Sequence, residues 1–201
     1  MLVVMDRGYA TDPKEKETGQ KGRFNFNTFE RVVINELIPM IDKNYRTLPD
    51  REHRAIAGLS MGGYGAFKLG LALPESFRAV ASLSGAVDVA SLMDRMKNQN
   101  PEGLSGFEYI YGDSPIAGSD NDLFALAGRA KAEGKKLPKL YQWCGKQDFL
   151  YEDNIRLRDY LQKMGADITY EEADGDHQWK YWDSGIERVL GWIQGILEED
   201  K

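Results

Sequence analysis

Cysteine and histidine are scarce in this chain: its 201 residues include one cysteine and two histidines. A single thiol, Cys144, rules out an internal disulfide framework. Its setting in the apolar run Leu140-Tyr141-Gln142-Trp143-Cys144 reads as a buried strand thiol rather than a nucleophile. Two separated histidines, one cysteine and scattered carboxylates form no ligand cluster, so no metal is expected and no cofactor is implied. Surplus positive charge is missing as well. The formal net charge is -6, the isoelectric point is near 5.1, and no run of lysine or arginine makes a basic stripe, which argues against nucleic acid as a partner.

Long apolar runs are also absent. No stretch approaches membrane-spanning length, so no membrane partner is expected. Met1-Leu2-Val3-Val4-Met5 gives way to Asp6-Arg7, too short and wrongly flanked for a signal peptide. The compartment is left open, because a signal upstream of Met1 would not be seen.

What is present suffices for one sizeable core. Hydrophobic residues make up 42% of the chain and charged residues 29%, so a single globular domain over residues 1–201 is expected. Leu2 to Met5 reads as a strand covered on both faces, followed by an exposed polar excursion from Tyr9 to Arg23. Asn27 or Thr28 is suited to cap a helix that places Phe29, Val32, Val33, Leu37, Met40 and Ile41 on one face, with a kink at Pro39. Further strands are expected at Arg54–Ala57, Ala79–Leu83, Lys139–Cys144 and Asp167–Glu171, and helices at Gly63–Ala72, Leu123–Ala132, Glu152–Met164 and Ile186–Leu197. Strands alternating with helices make the fold class α/β with a mostly parallel sheet. The mixed segment of about residues 87–136 reads as a lid or insertion over the site, or equally as helices whose pattern is poorly marked.

Chemistry enters at Gly58-Leu59-Ser60-Met61-Gly62-Gly63, which follows the run Ala55-Ile56-Ala57 and opens a small-residue helix. A G-x-S-x-G match in that context is a nucleophile elbow. Glycines two before and two after the serine let strand and helix approach without Cβ clashes. A serine hydroxyl is a weak nucleophile at neutral pH, so it needs a base and a group that fixes the base's tautomer. His53 precedes the elbow strand, at the edge of the sheet opposite the ligand-binding edge. His177, in Asp174-Gly175-Asp176-His177-Gln178-Trp179, is therefore the expected base, and Asp148, in Gly145-Lys146-Gln147-Asp148-Phe149-Leu150, the expected acid. Asp153, Asp174 and Asp176 are its rivals: Asp153 is placed to cap a helix, and Asp176 adjoins the histidine and faces away from its ring. The order Ser60, Asp148, His177 is that of α/β-hydrolases.

Attack on an ester creates an oxyanion, and the Met61 backbone N–H is one expected donor. No His-Gly segment supplies a second. Among the aromatics near these loops, Tyr64, Phe149, Tyr151, Trp179 and Trp182 are candidates to contact an acyl or aryl group, Trp179 first, although aromatics in such positions more often belong to the core. Arg7, at the end of the first expected strand, is placed either to meet a substrate carboxylate or simply to be solvated.

The stretches Asp50-Arg51-Glu52-His53-Arg54-Ala55-Ile56-Ala57-Gly58-Leu59-Ser60-Met61-Gly62-Gly63 and Trp143-Cys144-Gly145-Lys146-Gln147-Asp148-Phe149-Leu150-Tyr151-Glu152, with Asp176-His177-Gln178-Trp179, resemble the esterase D-like α/β-hydrolases. That group includes tributyrin-type acyl esterases, S-formylglutathione hydrolases and family 1 carbohydrate esterases. The resemblance implies an α/β-hydrolase fold and a serine carboxylesterase acting on small acyl or aryl esters, including esters of sugars and plant polysaccharides. An acyltransferase on the same site and a domain impaired by an incomplete oxyanion hole are the alternatives. In that fold a further strand lies between Leu2–Met5 and the elbow strand, and no segment here matches it. Fragment status, pairing of Leu2-Val3-Val4-Met5 with Ala55-Ile56-Ala57, or a homo-oligomer with strand exchange would each accommodate the gap.

Overall fold

Four apolar runs pair as parallel strands in the computed structural model, which describes residues 1–5, 30–100, 104, 107–108, 110–112 and 114–199. They are β1 (Ala55–Leu59), β2 (Ala79–Leu83), β3 (Lys139–Gly145) and β4 (Ile168–Ala173), hydrogen-bonded in that order. Ala55 pairs with Ala79, Ala79 with Lys139, and Leu140 with Ile168. Neighbouring parallel strands need a crossover, and helices supply it. These are α2 (Met61–Ala72) after β1, α3 (Val89–Gln99) and α4 (Leu123–Ala132) after β2, α5 (Tyr151–Lys163) after β3, and α6 (Trp179–Glu198) after β4; α1 (Ile38–Asn44) precedes the sheet.

The chain divides into two compact units, Met1–Pro49 with Met93–Ser114, and Asp50–Leu92 with Pro115–Lys201. In the first, a π-helical turn, Val33–Leu37, runs into α1, and Ile38 N–H donates to Val33 O. Pro39 accounts for the widened turn, since it lacks an N–H and its ring crowds the carbonyl four residues back, that of Asn35. Of the expected apolar face, Val33 is buried and Met40 is half exposed. Phe29, the Asn27 and Thr28 caps and the Tyr9–Arg23 loop lie outside the described residues. Leu2–Met5 corrects the expectation of a strand. These residues are irregular, Val4 being 44% and Met5 90% exposed. Apolar composition alone does not make a strand: the backbone needs a partner, and none of the sheet's strands pairs with this segment.

The second unit holds the whole sheet. On one face, Ala79, Ala81 and Leu83 of β2 and Tyr141 and Trp143 of β3 meet Trp182, Val189, Ile193 and Ile196 of α6. The intervening residues point the other way, where Gly70 of α2 packs under Val80 and Asn154 of α5 meets Gln142. A buried aromatic ring removes about 150–250 Å² from water, or about 4–6 kcal/mol before entropy. Tyr141 and Trp143 are thus the main anchors of the α6 face. β1 has a sheet neighbour on one side only among the described residues, and it is partly buried where β2 is fully so.

Two helices depart from expectation. α3 lies inside the segment expected as a lid or insertion, where only α4 was legible; Asp122 caps α4, accepting from Phe124 and Ala125 N–H. α6 starts at Trp179 instead of Ile186, without a side-chain cap. Burial of Trp182 against the sheet, a tertiary term, draws the earlier turns into the helix.

Candidate active site

All four strands deliver their following loops to one edge of the sheet. Ser60 directly follows β1, and α2 starts at the next residue. Ser60 has φ 52° and ψ −120°, a conformation that costs a non-glycine residue about 1–3 kcal/mol. Three backbone bonds hold it there. Ser60 N–H donates to Leu83 O at 2.9 Å, Tyr64 N–H donates to Ser60 O at 3.1 Å, and Ala86 N–H donates to Ser60 O at 3.2 Å. Gly58 is required for space, since a Cβ there would lie 2.2 Å from Gly62 C and O. The expectation for Gly62 is corrected: a Cβ there meets nothing within 4 Å, whereas one on Gly63 would lie 2.6 Å from Ser82 Oγ. The motif's second tight position is therefore Gly63, because α2 turns its third residue, not its second, onto β2.

The acid and histidine loops are zipped together beyond β3 and β4. Gly145 sits so close to Gly175 that a Cβ would come within 2.3 Å of its carbonyl oxygen. Gln147 N–H donates to Gly175 O at 2.9 Å, and Gly175 N–H donates to Gln147 Oε1 at 2.6 Å. This brings His177 Nδ1 to 2.8 Å from Asp148 Oδ2 and His177 Nε2 to 2.9 Å from Ser60 Oγ. The Asp148 side chain is fully buried, and its Oδ1 accepts Leu150 N–H at 2.9 Å. A buried carboxylate needs such donors to offset lost hydration. With Asp148 on Nδ1, the imidazole carries its proton there and turns the Nε2 lone pair toward Ser60. The Phe149 ring lies 4.8 Å and the Trp182 ring 4.7 Å from the imidazole, the latter edge-on at 86°.

Two of the rivals of Asp148, Asp153 and Asp176, are engaged elsewhere. Asp153 is buried in the first turn of α5 and pairs with Arg156, so it is not the cap it was expected to be; Leu150 holds that position. Asp176 accepts from Gln178 Nε2 at 2.6 Å. His53 bonds Asp50 at 2.7 Å, before β1 and at the opposite edge. Met61 is the first residue of α2, where helix geometry leaves backbone N–H groups without intrahelical partners.

Phe149 and Trp179 are 63% and 72% exposed at this edge. Tyr64 is not among the groups facing it. It is fully buried, and its hydroxyl donates to Asn121 O at 2.8 Å, which corrects its assignment as a substrate contact: the helical repeat turns it into the core. Trp182 is likewise buried, and Tyr151 donates to Glu172 Oε2 at 2.8 Å. Arg7 lies outside the described residues. Cys144 is buried, and burial, with the Asp148 charge nearby, pushes its thiol well above the usual range.

Asn154 and Gln142 were missed by sequence reasoning. Both are fully buried polar residues, joined by Gln142 Nε2 donating to Asn154 Oδ1 at 2.8 Å. The signal was available: Asn154 falls on the stripe Leu150, Leu157, Leu161, a polar residue at a core position.

A parallel α/β sheet with a serine at the strained turn after β1, an acid in the loop after β3 and a histidine in the loop after β4 defines an α/β-hydrolase. Residues 1–193 match the Esterase family, and the chain belongs to it, in an esterase D-like group. It is 31% identical over 197 residues to an acetyl esterase of Caldicellulosiruptor saccharolyticus, covering 96% of this chain and 70% of that protein. It is 38% identical over 115 residues to an endo-1,4-beta-xylanase/feruloyl esterase of Xylanibacter ruminicola, covering 52% of this chain and 15% of that protein. The substrate-bound structure of a fluorophosphonate-binding serine hydrolase of Staphylococcus aureus superposes with a TM-score of 0.71 at 35% identity, covering 80% of this chain and 62% of that one. The chain therefore spans less than two thirds of that hydrolase's length.

Proposed function

We propose that this chain is a serine carboxylesterase that hydrolyses small acyl or aryl esters, including esters of sugars, through an acyl-enzyme on Ser60. The observation that carries this reading is the imidazole of His177, 2.9 Å from Ser60 Oγ on one side and 2.8 Å from Asp148 Oδ2 on the other. Ser60 Oγ–H gives its proton to His177 Nε2 as Oγ attacks the ester carbonyl, and Asp148 stabilises the resulting imidazolium. The tetrahedral oxyanion takes a hydrogen bond from Met61 N–H. Collapse expels the alcohol, which leaves with the proton held by His177; water then attacks the acyl-enzyme by the same route, releasing the acid and free Ser60. Phe149 and Trp179 offer exposed flat faces to the acyl or aryl group. Similarity to an acetyl esterase and to a xylanase/feruloyl esterase supports this substrate range.

The test is covalent labelling. A fluorophosphonate is expected to modify Ser60 stoichiometrically, with loss of labelling in His177→Ala; a folded protein that takes no label overturns the reading. A panel of acetate, butyrate, ferulate and S-formylglutathione esters then ranks the acyl group.

A further inference from the structure

The Gly85–Ala86 peptide, just after β2, is hydrogen-bonded on both sides. Its N–H, from Ala86, donates to Ser60 O at 3.2 Å, and its C=O, from Gly85, accepts Asn154 Nδ2–H at 2.9 Å. The bond is trans, so these two groups point in opposite directions and one rigid plane separates Ser60 from Asn154. Asn154 uses its second Nδ2 proton on Leu150 O at 2.8 Å. Leu150 N–H in turn donates to Asp148 Oδ1 at 2.9 Å. Asp148 Oδ2 meets His177 Nδ1, and His177 Nε2 meets Ser60 Oγ. The contacts thus form a closed ring running from Ser60 through Gly85–Ala86, Asn154, Leu150, Asp148 and His177 back to Ser60.

We infer that Asn154 is a positioning residue that sets the distance between Ser60 and Asp148, and so the position of His177 between them; this rests on the reading of those three as the catalytic residues. The orientation of the Asn154 amide is determined by its surroundings. Two carbonyls lie at Nδ2, while Oδ1 receives Gln142 Nε2–H at 2.8 Å; a flipped amide would set its oxygen against two carbonyl oxygens. Gln142 Nε2 also bonds Asn154 O at 3.0 Å, which fixes α5 relative to β3 at this residue. Asn154 is fully buried. Water cannot replace its donors, so their loss leaves the Gly85 and Leu150 carbonyls to relax independently.

Asn154→Asp keeps the shape but replaces both donors with an acceptor, and Gln142→Met loosens the same amide more mildly if Asn154→Asp fails to fold. Two readouts are taken on samples shown to be folded by their melting transitions. The first is steady-state hydrolysis of p-nitrophenyl acetate, where kcat is expected to fall about 10- to 100-fold with KM changed less than about twofold. The second, independent of turnover, is the low-field proton resonance of the His177–Asp148 hydrogen bond, expected to shift or broaden. An unchanged resonance together with an unchanged kcat overturns the role of Asn154 and leaves the esterase reading standing. A wild-type protein without turnover, whose resonance still moves in the variants, upholds the positioning role and overturns the esterase reading instead.

Discussion

His177 Nδ1 lies 2.8 Å from Asp148 Oδ2, and that carboxylate is completely buried. A pair so enclosed has a directional consequence. In Asp148→Asn the amide oxygen can keep the Leu150 N–H while its nitrogen faces the imidazole, forcing the ring's proton onto Nε2. The Nε2 lone pair that the proposed mechanism uses to take the Ser60 proton is then lost. Ester turnover is expected to fall by about 10²- to 10⁴-fold in kcat with little change in melting temperature, read by steady-state kinetics beside calorimetry.

The glycines around Ser60 should separate cleanly. Gly58→Ala drives a methyl group into the Gly62 backbone and is expected to destabilise the fold by more than about 3 kcal/mol or prevent folding. Gly62→Ala meets open space and replaces a poor helix former with the best one, so its stability should be unchanged or higher by up to about 1 kcal/mol. Urea midpoints of the two variants decide it; equal destabilisation would contradict the packing described.

Strain at Ser60 predicts a trade of activity for stability. Its φ of 52° suits glycine far better than serine. Ser60→Gly is expected to abolish turnover yet raise the unfolding free energy by about 1 kcal/mol, the relief of strain less the added chain entropy. A less stable Ser60→Gly would mean that the side chain's contacts outweigh the strain.

Stability at alkaline pH should report on Tyr141. Burial, with the Glu171 carboxylate that accepts its hydroxyl at 2.7 Å, pushes this phenol from 10.0 up to about 12. The folded state holds the proton more tightly than the unfolded chain, so this contribution is complete below about pH 10 and is lost as pH rises toward about 12. Tyr141→Phe is expected to flatten that part of the stability curve, while costing about 1 kcal/mol at neutral pH for the lost hydrogen bond. The slope is reduced rather than abolished, because burial also raises the phenol of Tyr170.

Much of the fold was legible because strands and most helices are local patterns. Ala79–Leu83 and Leu123–Ala132 were expected with the boundaries they have. The lost cases share one cause: each depends on partners distant in the chain. Leu2–Met5 has the composition of a strand without a strand beside it, and the first turns of α6 follow from where Trp182 packs. Tyr64 sits next to the elbow in sequence, yet its position on α2 directs it inward to Asn121, 57 residues away.

By itself the sequence determined the family, the parallel α/β order and the succession Ser60, Asp148, His177, because a nucleophile elbow and the loops after successive strands are short-range features. Only the tertiary structure decided that these residues touch, Ser60 and His177 meeting across 117 residues. It also decided that Gly63, not Gly62, carries the close approach, and that Asn154 joins the β2 loop to the acid loop. The reason is physical. Hydrogen bonds and van der Waals limits act over a few ångströms, and which atoms come that close is set when β1, β2, β3 and β4 align at one edge.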